Sequence, residues 1–408
     1  MTQLIVSTLT AGILALGLIT HSAWADDRSP RAPCKDCPNP AATFEVKVAK
    51  KVNLDFKCVA EIDVNIANKY GTVTLLPWAK DSVKMEVEIT ARGQTKAEAE
   101  RIMERVELRY THGPTALNVD TDIRQQEVAG SSVSGTVQGL WNSLVSPLTN
   151  SGKPTTSATN NSGQANTTID QHNLQVHLKI RVPFNAVVDI DNKYGNVLLN
   201  GPIKGRLDLD MDYGDLRADH PIAVGRISIK NGKANIKLLQ SGSVEARYGS
   251  IQLGTGGEVL LLTNNTEVDI DSVTTLTLDT RYGNVQVHRP GNVSGKTYLT
   301  QLTLHSLARS GDLEMQFGDL AIKSLKTSVP SLAIRANRTA IVIELGSLTD
   351  YQLELTGKNG QVEYPAKLAK VENGKANDWA NNSTIKGTMG NGKKIFKIES
   401  RDGVVTVK

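Results

Sequence analysis

Asn192-Lys193-Tyr194-Gly195-Asn196-Val197, Met211-Asp212-Tyr213-Gly214-Asp215-Leu216, Ala246-Arg247-Tyr248-Gly249-Ser250-Ile251 and Thr280-Arg281-Tyr282-Gly283-Asn284-Val285 decide the fold. Each is a Tyr-Gly turn followed by a small polar residue and an aliphatic one. Two weaker copies fill the gaps, Gly232-Lys233-Ala234-Asn235-Ile236 and Asn264-Asn265-Thr266-Glu267-Val268. Anchored at 195, 214, 234, 249, 266 and 283, the copies lie 19, 20, 15, 17 and 17 residues apart. An alternating strand precedes each copy, as in Val188-Asp189-Ile190, Leu207-Asp208-Leu209 and Leu276-Thr277-Leu278. Another follows, as in Ile251-Gln252-Leu253.

A coil of about 17–19 residues holding short strands and a turn predicts an all-β fold, a single-stranded parallel β-solenoid. Its coils stack at the strand spacing of ~4.8 Å. The aliphatic side chains point inward as one narrow core, and the polar ones face water. Glycine is expected to supply the positive φ of each tight turn. The same turn logic persists after residue 290, at Arg309-Ser310-Gly311-Asp312-Leu313, Gln316-Phe317-Gly318-Asp319-Leu320, Lys358-Asn359-Gly360-Gln361-Val362 and Arg401-Asp402-Gly403-Val404-Val405.

Working outward, Phe44, Val46, Val48 and then Ile62, Val64, Ile66 alternate as strands do. One helix is expected over 96–107. Thr95-Lys96-Ala97-Glu98 makes a capping box, and Ile102, Met103 and Val106 form its apolar stripe. The expected organisation is a signal peptide over 1–25, an irregular leader over 26–43 and N-terminal strands with a covering helix over 44–128. A disordered low-complexity insertion follows over 129–170, then the solenoid over 171–365, and a C-terminal loop and terminal coil over 366–408.

The signal peptide is read from the apolar run Leu4–Ile19 and the cleavage pattern Ala23-Trp24-Ala25, although no Lys or Arg precedes the run. It implies export to the periplasm, the outer surface or the medium. No later stretch is long enough to cross a bilayer as a helix. Cys34, Cys37 and Cys58 leave the disulfide pairing open. Between Thr149 and Thr168 the chain is almost wholly Gly, Ser, Thr, Asn, Pro and Gln. Such a segment buries too little apolar surface to offset its ordering entropy. The small apolar cluster Leu140, Trp141, Leu144, Val145 and Leu148 lies just ahead of it.

With 46 basic against 42 acidic residues, charge gives no case for nucleic acid or an anionic membrane as partner. Nucleophile-elbow, zinc-protease, phosphate-loop and dinucleotide signatures are absent from the sequence. Its histidines after the leader (His112, His172, His177, His220, His288, His305) are scattered. No cofactor is expected.

Two constellations remain. Asp208, Asp210 and Asp212 share one outer face, with Asp189 and Asp191 one coil below, and oxygen ligands in that number suit Ca²⁺. Counting back from the anchors instead places Lys193 on Asp212, and Asp210 near Lys230 followed by Glu245. That pattern is a solvated salt ladder whose pairs contribute ~0–1 kcal/mol each. The second is Tyr194, Tyr213, Tyr248 and Tyr282, flanked by Arg247 and Arg281. Exposed, these side chains suit sugar or peptide. Packed ring on ring, they are structural corners.

Asn68-Lys69-Tyr70-Gly71-Thr72-Val73-Thr74-Leu75-Leu76-Pro77-Trp78, followed by Val83-Lys84-Met85-Glu86-Val87, resembles the opening of a bacterial family known as "putative adhesins". The Asn-Lys-Tyr-Gly phrase recurs at 192–195, and the closing run Gly392–Val407 is similar too. The resemblance spans 44–128 and 171–408. It implies an exported β-solenoid of Bacteroidetes type and carries over no catalytic residue. The expected function is a non-catalytic envelope protein that binds or scaffolds, with a glycan or envelope protein as partner and self-association open. The rival readings are a periplasmic partner of an envelope stress or regulatory system, and a β-helix enzyme acting on polysaccharide.

Overall fold

Alternation governs the structure from its first strand. The computed structural model describes residues 46–124, 169, 172–372 and 383–408, with backbone alone at 369–372 and 383. The expectations for the signal peptide, the leader, Cys34 and Cys37 fall outside these residues, as does nearly all of the 129–170 insertion.

The strands of the described residues form one mixed, twenty-stranded sheet that does not close. On one side, Asp63–Lys69 (β2), Val187–Lys193 (β8), Ile203–Asp212 (β10) and the second half of Leu216–Lys230 (β11) pair in parallel. On the other, Leu174–Pro183 (β7), Val73–Trp78 (β3), Val197–Leu199 (β9) and the first half of β11 do the same. β11 therefore leaves one side and finishes on the other. The chain continues in Lys233–Leu304 (β12), Gly311–Ile322 (β13) and Ser331–Ile343 (β14), again paired in parallel. Each pass from one side across the corner to the other is one rung.

Both ends depart from the wholly parallel arrangement expected from the repeats. At the N-terminal end Val46–Lys57 (β1) pairs antiparallel with Ser82–Gly93 (β4), and β4 antiparallel with β7. The hairpin Val106–His112 (β5) and Ala116–Ile123 (β6) closes the other side through β2. At the C-terminal end Tyr351–Lys358 (β15) pairs antiparallel with Ser383–Met389 (β18). The physical reason lies at the ends of the stack, where a terminal strand offers a row of unpaired N–H and C=O groups. A further strand satisfies them, and an antiparallel one does so as well as a parallel one. The outermost strand β1 carries Lys47, Lys50, Lys51 and Lys57, charges that discourage pairing with a further chain. The last strands, Ile395–Arg401 (β19) and Val404–Val407 (β20), lie between β14 and the pair β15 and Gln361–Glu363 (β16). The chain thus folds its end back into the stack as the next-to-last rung.

The interior is one contiguous hydrophobic cluster running from Ile62 to Val407, aliphatic save for Tyr351 and Phe396 near its C-terminal end. Its members alternate with outward polar residues, as the burial of β10 shows at Leu207, Leu209 and Met211. The helix Lys96–Glu104 (α1) starts where expected: Thr95 Oγ1 accepts from the Glu98 N–H at 3.2 Å, and Glu98 Oε2 accepts from Gln94 N–H at 2.9 Å. It ends three residues earlier than the apolar stripe suggests, because Val106 enters β5.

Candidate functional site

The Tyr-Gly pairs form one corner repeated on every rung. Tyr70, Tyr194, Tyr213, Asn231, Tyr248, Asn265, Tyr282, Leu299, Phe317, Arg338, Asp402 and Asn359, in spatial order, all have φ between 48° and 58°. The expectation that glycine supplies the positive φ is corrected here. The left-handed residue is the one before the glycine, and of the glycines that follow a corner only Gly318 has positive φ, at +119°. The other corner glycines are required for space. A β-carbon at Gly195 would meet the Gly71 carbonyl, at Gly214 that of Gly195, and at Gly249 that of Gly232.

From Gly249 onward glycine alternates with threonine in this column, through Thr266, Gly283, Thr300, Gly318 and Thr339. The threonine hydroxyls are buried and bond to carbonyls, Thr266 Oγ1 to Ala246 O at 3.1 Å and Thr300 Oγ1 to Tyr298 O at 3.0 Å. Asn231 is itself the corner of the weak copy, so the anchor is Gly232 and not Ala234. Asn tolerates the left-handed region, and from 214 the spacing becomes 18, 17, 17 and 17.

The Asn of Asn-Lys-Tyr-Gly has its own task. Asn68 and Asn192 point inward and are buried. Their side-chain amides donate to the corner carbonyls of Gly71, at 3.2 Å, and Gly195, at 2.7 Å. Asn68 also donates to Asn192 Oδ1 at 3.0 Å and accepts from Thr121 Oγ1 at 2.9 Å. Buried polar atoms are thereby satisfied.

The tyrosines split into two behaviours. Tyr70, Tyr194 and Tyr213 stack ring on ring, with centroids 5.3 and 5.2 Å apart. Tyr248 stands between Asn231 and Asn265 and is 62% exposed. Tyr282 meets Tyr298 edge-on at 5.7 Å, Tyr298 meets Phe317 at 5.6 Å, and the Arg338 guanidinium lies 5.7 Å from the Phe317 ring centre. Tyr194 and Tyr213 are brought together, whereas Tyr248 and Tyr282 are each flanked by an asparagine rung. Arg247 and Arg281 project outward beside their tyrosines, paired with Glu245 at 2.8 Å and Asp279 at 4.0 Å. Tyr70, Tyr298 and Phe317 belong to this surface and are absent from the sequence candidates. The repeated Asn-Lys-Tyr-Gly phrase at 68–71 marks Tyr70, and a count of seventeen from Tyr282 reaches the Leu299 corner beside Tyr298.

The aspartates lie one rung apart as expected, Asp208 on Asp189 and Asp210 on Asp191. Lys193 faces Asp212. The next step departs from the expected ladder by two residues, because the corner of that rung lies at Asn231-Gly232 and not at Ala234. Lys230 lies on Asp212, Ser228 on Asp210, and beyond them come Arg247 and Glu245. Arg226 pairs with Asp208 at 2.7 Å and Asp210 at 3.3 Å. Burial, and then the nearby Asp208 and Asp210, push the Asp189 carboxyl above the usual range. Among the described residues no group of three or more His, Cys, Asp or Glu is placed to hold a metal ion.

Four of the shallow concavities among the described residues lie on the outer face of the strand that leads into the corner. One of about 410 Å³ is lined by Arg109, Tyr110, Asn118, Asp189 and Asp191. A second, about 430 Å³, involves Glu245, Arg247, Asn264 and Arg281. A third, about 350 Å³, involves Arg281, Tyr282, Lys296, Tyr298 and Gln316. The fourth, about 380 Å³, involves Gln316, Arg335, Asn337 and Arg401.

No family model matches the chain, and no curated protein does. Solved structures with similarity include a "putative cell adhesion protein" from Clostridium sporogenes, at 10% identity over 88% of this chain and 99% of that one, with a TM-score of 0.16. A "putative adhesin" from Parabacteroides merdae matches at 8% identity over 71% of this chain and 95% of that one, with a TM-score of 0.29. Another from Bacteroides fragilis matches at 10% identity over 88% and 97%, with a TM-score of 0.22. Scores this low carry no argument for fold or function. The names of these neighbours coincide with the family that the Asn-Lys-Tyr-Gly segments resemble.

Proposed function

We propose that this chain is an exported β-solenoid of the cell envelope that binds or scaffolds and performs no catalysis. The observation that carries the reading is the outer face beside the left-handed corners. Rung after rung, it presents exposed rings and charged side chains in register, with Tyr194, Tyr213, Tyr248 and Tyr282 exposed along one line. Repetition of this kind gives a ligand many similar weak contacts. The apolar run Leu4–Ile19 and the Ala23-Trp24-Ala25 pattern support export.

Cell fractionation with N-terminal sequencing is the first test, with a mature chain beginning at Asp26 as the expected product. The mature chain should then co-sediment saturably with isolated cell envelopes. Replacing Tyr248 and Tyr282 by alanine should weaken that binding. An uncleaved cytoplasmic chain, or one that stays in the supernatant, overturns the reading.

A further inference from the structure

Three of the four concavities are one feature. The hollow at Arg247 shares Asp279 and Arg281 with the hollow at Tyr298, which shares Glu314 and Gln316 with the hollow at Arg401. The result is a continuous shallow groove along the stack. Its floor next to the corners is the column Arg247, Arg281, Tyr298, Gln316, Asn337 and Arg401, with Asn264 completing one residue on each of seven rungs. Seven rungs at the strand spacing span about 29 Å.

Resting on the binding role proposed above, we infer that this groove takes a linear, uncharged polysaccharide lying along the stack, one sugar opposite each rung. Three observations point to that class. The groove is long, open and narrow, so it suits an extended polymer and not a compact metabolite. A sugar in an extended β-linked chain advances by close to one rung, so each unit faces the side chain of its own rung.

Most charges of the groove are paired. Glu245 pairs with Arg247 at 2.8 Å, Asp279 with Arg281 at 4.0 Å and Glu314 with Lys296 at 3.1 Å, while Arg335 and Arg401 pair with Asp312 at 2.7 Å and Asp402 at 3.6 Å beside it; among the described residues Lys358 is the lining cation without an ion pair. A polyanion would have to displace these carboxylates. Hydroxyls can instead bond to the amides of Asn264, Gln316 and Asn337 and to the free edges of the ion pairs. Tyr298, half-buried between Tyr282 and Phe317, is held by edge-on contacts with both rings and offers a fixed apolar surface for a sugar ring.

The test uses the full mature chain in titration calorimetry. Its probes are dimers and hexamers of β-1,4-linked glucose, mannose and N-acetylglucosamine, with a galacturonate hexamer as the anionic comparator. At least one neutral hexamer should bind, roughly tenfold or more tighter than its dimer, with little change between low and high salt. Tyr298→Ala and Arg281→Ala should each weaken it about tenfold, while Tyr298→Phe retains most of the affinity; circular dichroism and melting confirm that each variant folds. The inference is overturned if no neutral hexamer binds, if dimers bind as well as hexamers, or if only the galacturonate binds and does so salt-dependently. Envelope co-sedimentation separates the two levels. If it persists and is weakened by Tyr298→Ala while every glycan fails, the ligand is of another chemistry and the binding role stands. If it fails as well, both readings fall.

Discussion

Gly318→Ala tests the physical account of the corner. Gly318 sits between Thr300 and Thr339 in the stack, so both neighbours in its column already carry a β-carbon. A β-carbon at 318 would meet the Thr300 carbonyl oxygen, with the Thr300 amide nitrogen 2.9 Å away. Its φ of +119° adds a second cost, because alanine rarely adopts that region. Backbone strain of this kind costs about 1–3 kcal/mol. Forcing a methyl into a packed site costs about 1–3 kcal/mol more. The expected loss is therefore about 2–6 kcal/mol, read from urea unfolding with hydrogen exchange to place the loss around β13. Tyr248→Gly is the matched control. It relieves a left-handed tyrosine by ~1–2 kcal/mol and returns ~0.5–1 kcal/mol of chain entropy, so stability should hold or rise by up to about 1.5 kcal/mol. A Gly318→Ala chain that unfolds within about 1 kcal/mol of the parent would refute the argument that the stack leaves no room at this column.

Other outcomes follow from the same contacts. Asn192→Ala orphans the Gly195 carbonyl and one Asn68 amide bond, and should cost about 1–3 kcal/mol per unsatisfied group; thermal melting checks this, and an unchanged midpoint would contradict it. A double-mutant cycle on Tyr194 and Tyr213 should return a coupling of about 0.5–1.5 kcal/mol, whereas Tyr213 with Tyr282 should show none. Burial of His177 lowers its pKa below the ordinary value, against a smaller opposing effect of Glu88, and its Nδ1 accepts the Thr72 N–H at 3.3 Å. The unfolded chain therefore binds more protons as pH falls through about 6.5. The folded state should lose stability there, and His177→Gln should flatten the slope of melting temperature against pH. Thr95→Ala removes the α1 cap at a cost of about 1 kcal/mol, visible as faster hydrogen exchange over 96–104.

The middle of the fold is legible in the residues because one period controls it. Inward aliphatics and Tyr-Gly corners recur together, so residues such as Leu209, Ile227 and Val244 fall into one column. The ends are not legible in this way, since β1, β4 and β18 alternate like any other strand and nothing in alternation distinguishes antiparallel from parallel neighbours. The return of Ile395–Val407 between two earlier rungs is equally hidden, because its pairing partners are set by tertiary packing. From their chemistry alone the corner glycines carry a conformational role. Only the packed backbone shows that Tyr or Asn carries the unusual φ and that the glycine makes room for the rung below. Tyr194, Tyr213, Tyr248 and Tyr282 were visible as a set. Tyr70 entered it from a rung 124 residues earlier in the chain, and Tyr298 from an arginine-type position just before its corner, which the Tyr-Gly phrase does not mark.

Cross-linking measures the parallel register directly. Arg217 and Asn235 are exposed and face one another across adjacent rungs, and parallel neighbours at ~4.8 Å fall within the span a disulfide can bridge. A chain carrying Arg217→Cys and Asn235→Cys should form that bond under mild oxidation, as read by peptide mass mapping. A companion with Arg217→Cys and Lys237→Cys should not. Efficient cross-linking of the second pair in place of the first would show that the rungs do not stack in the register described.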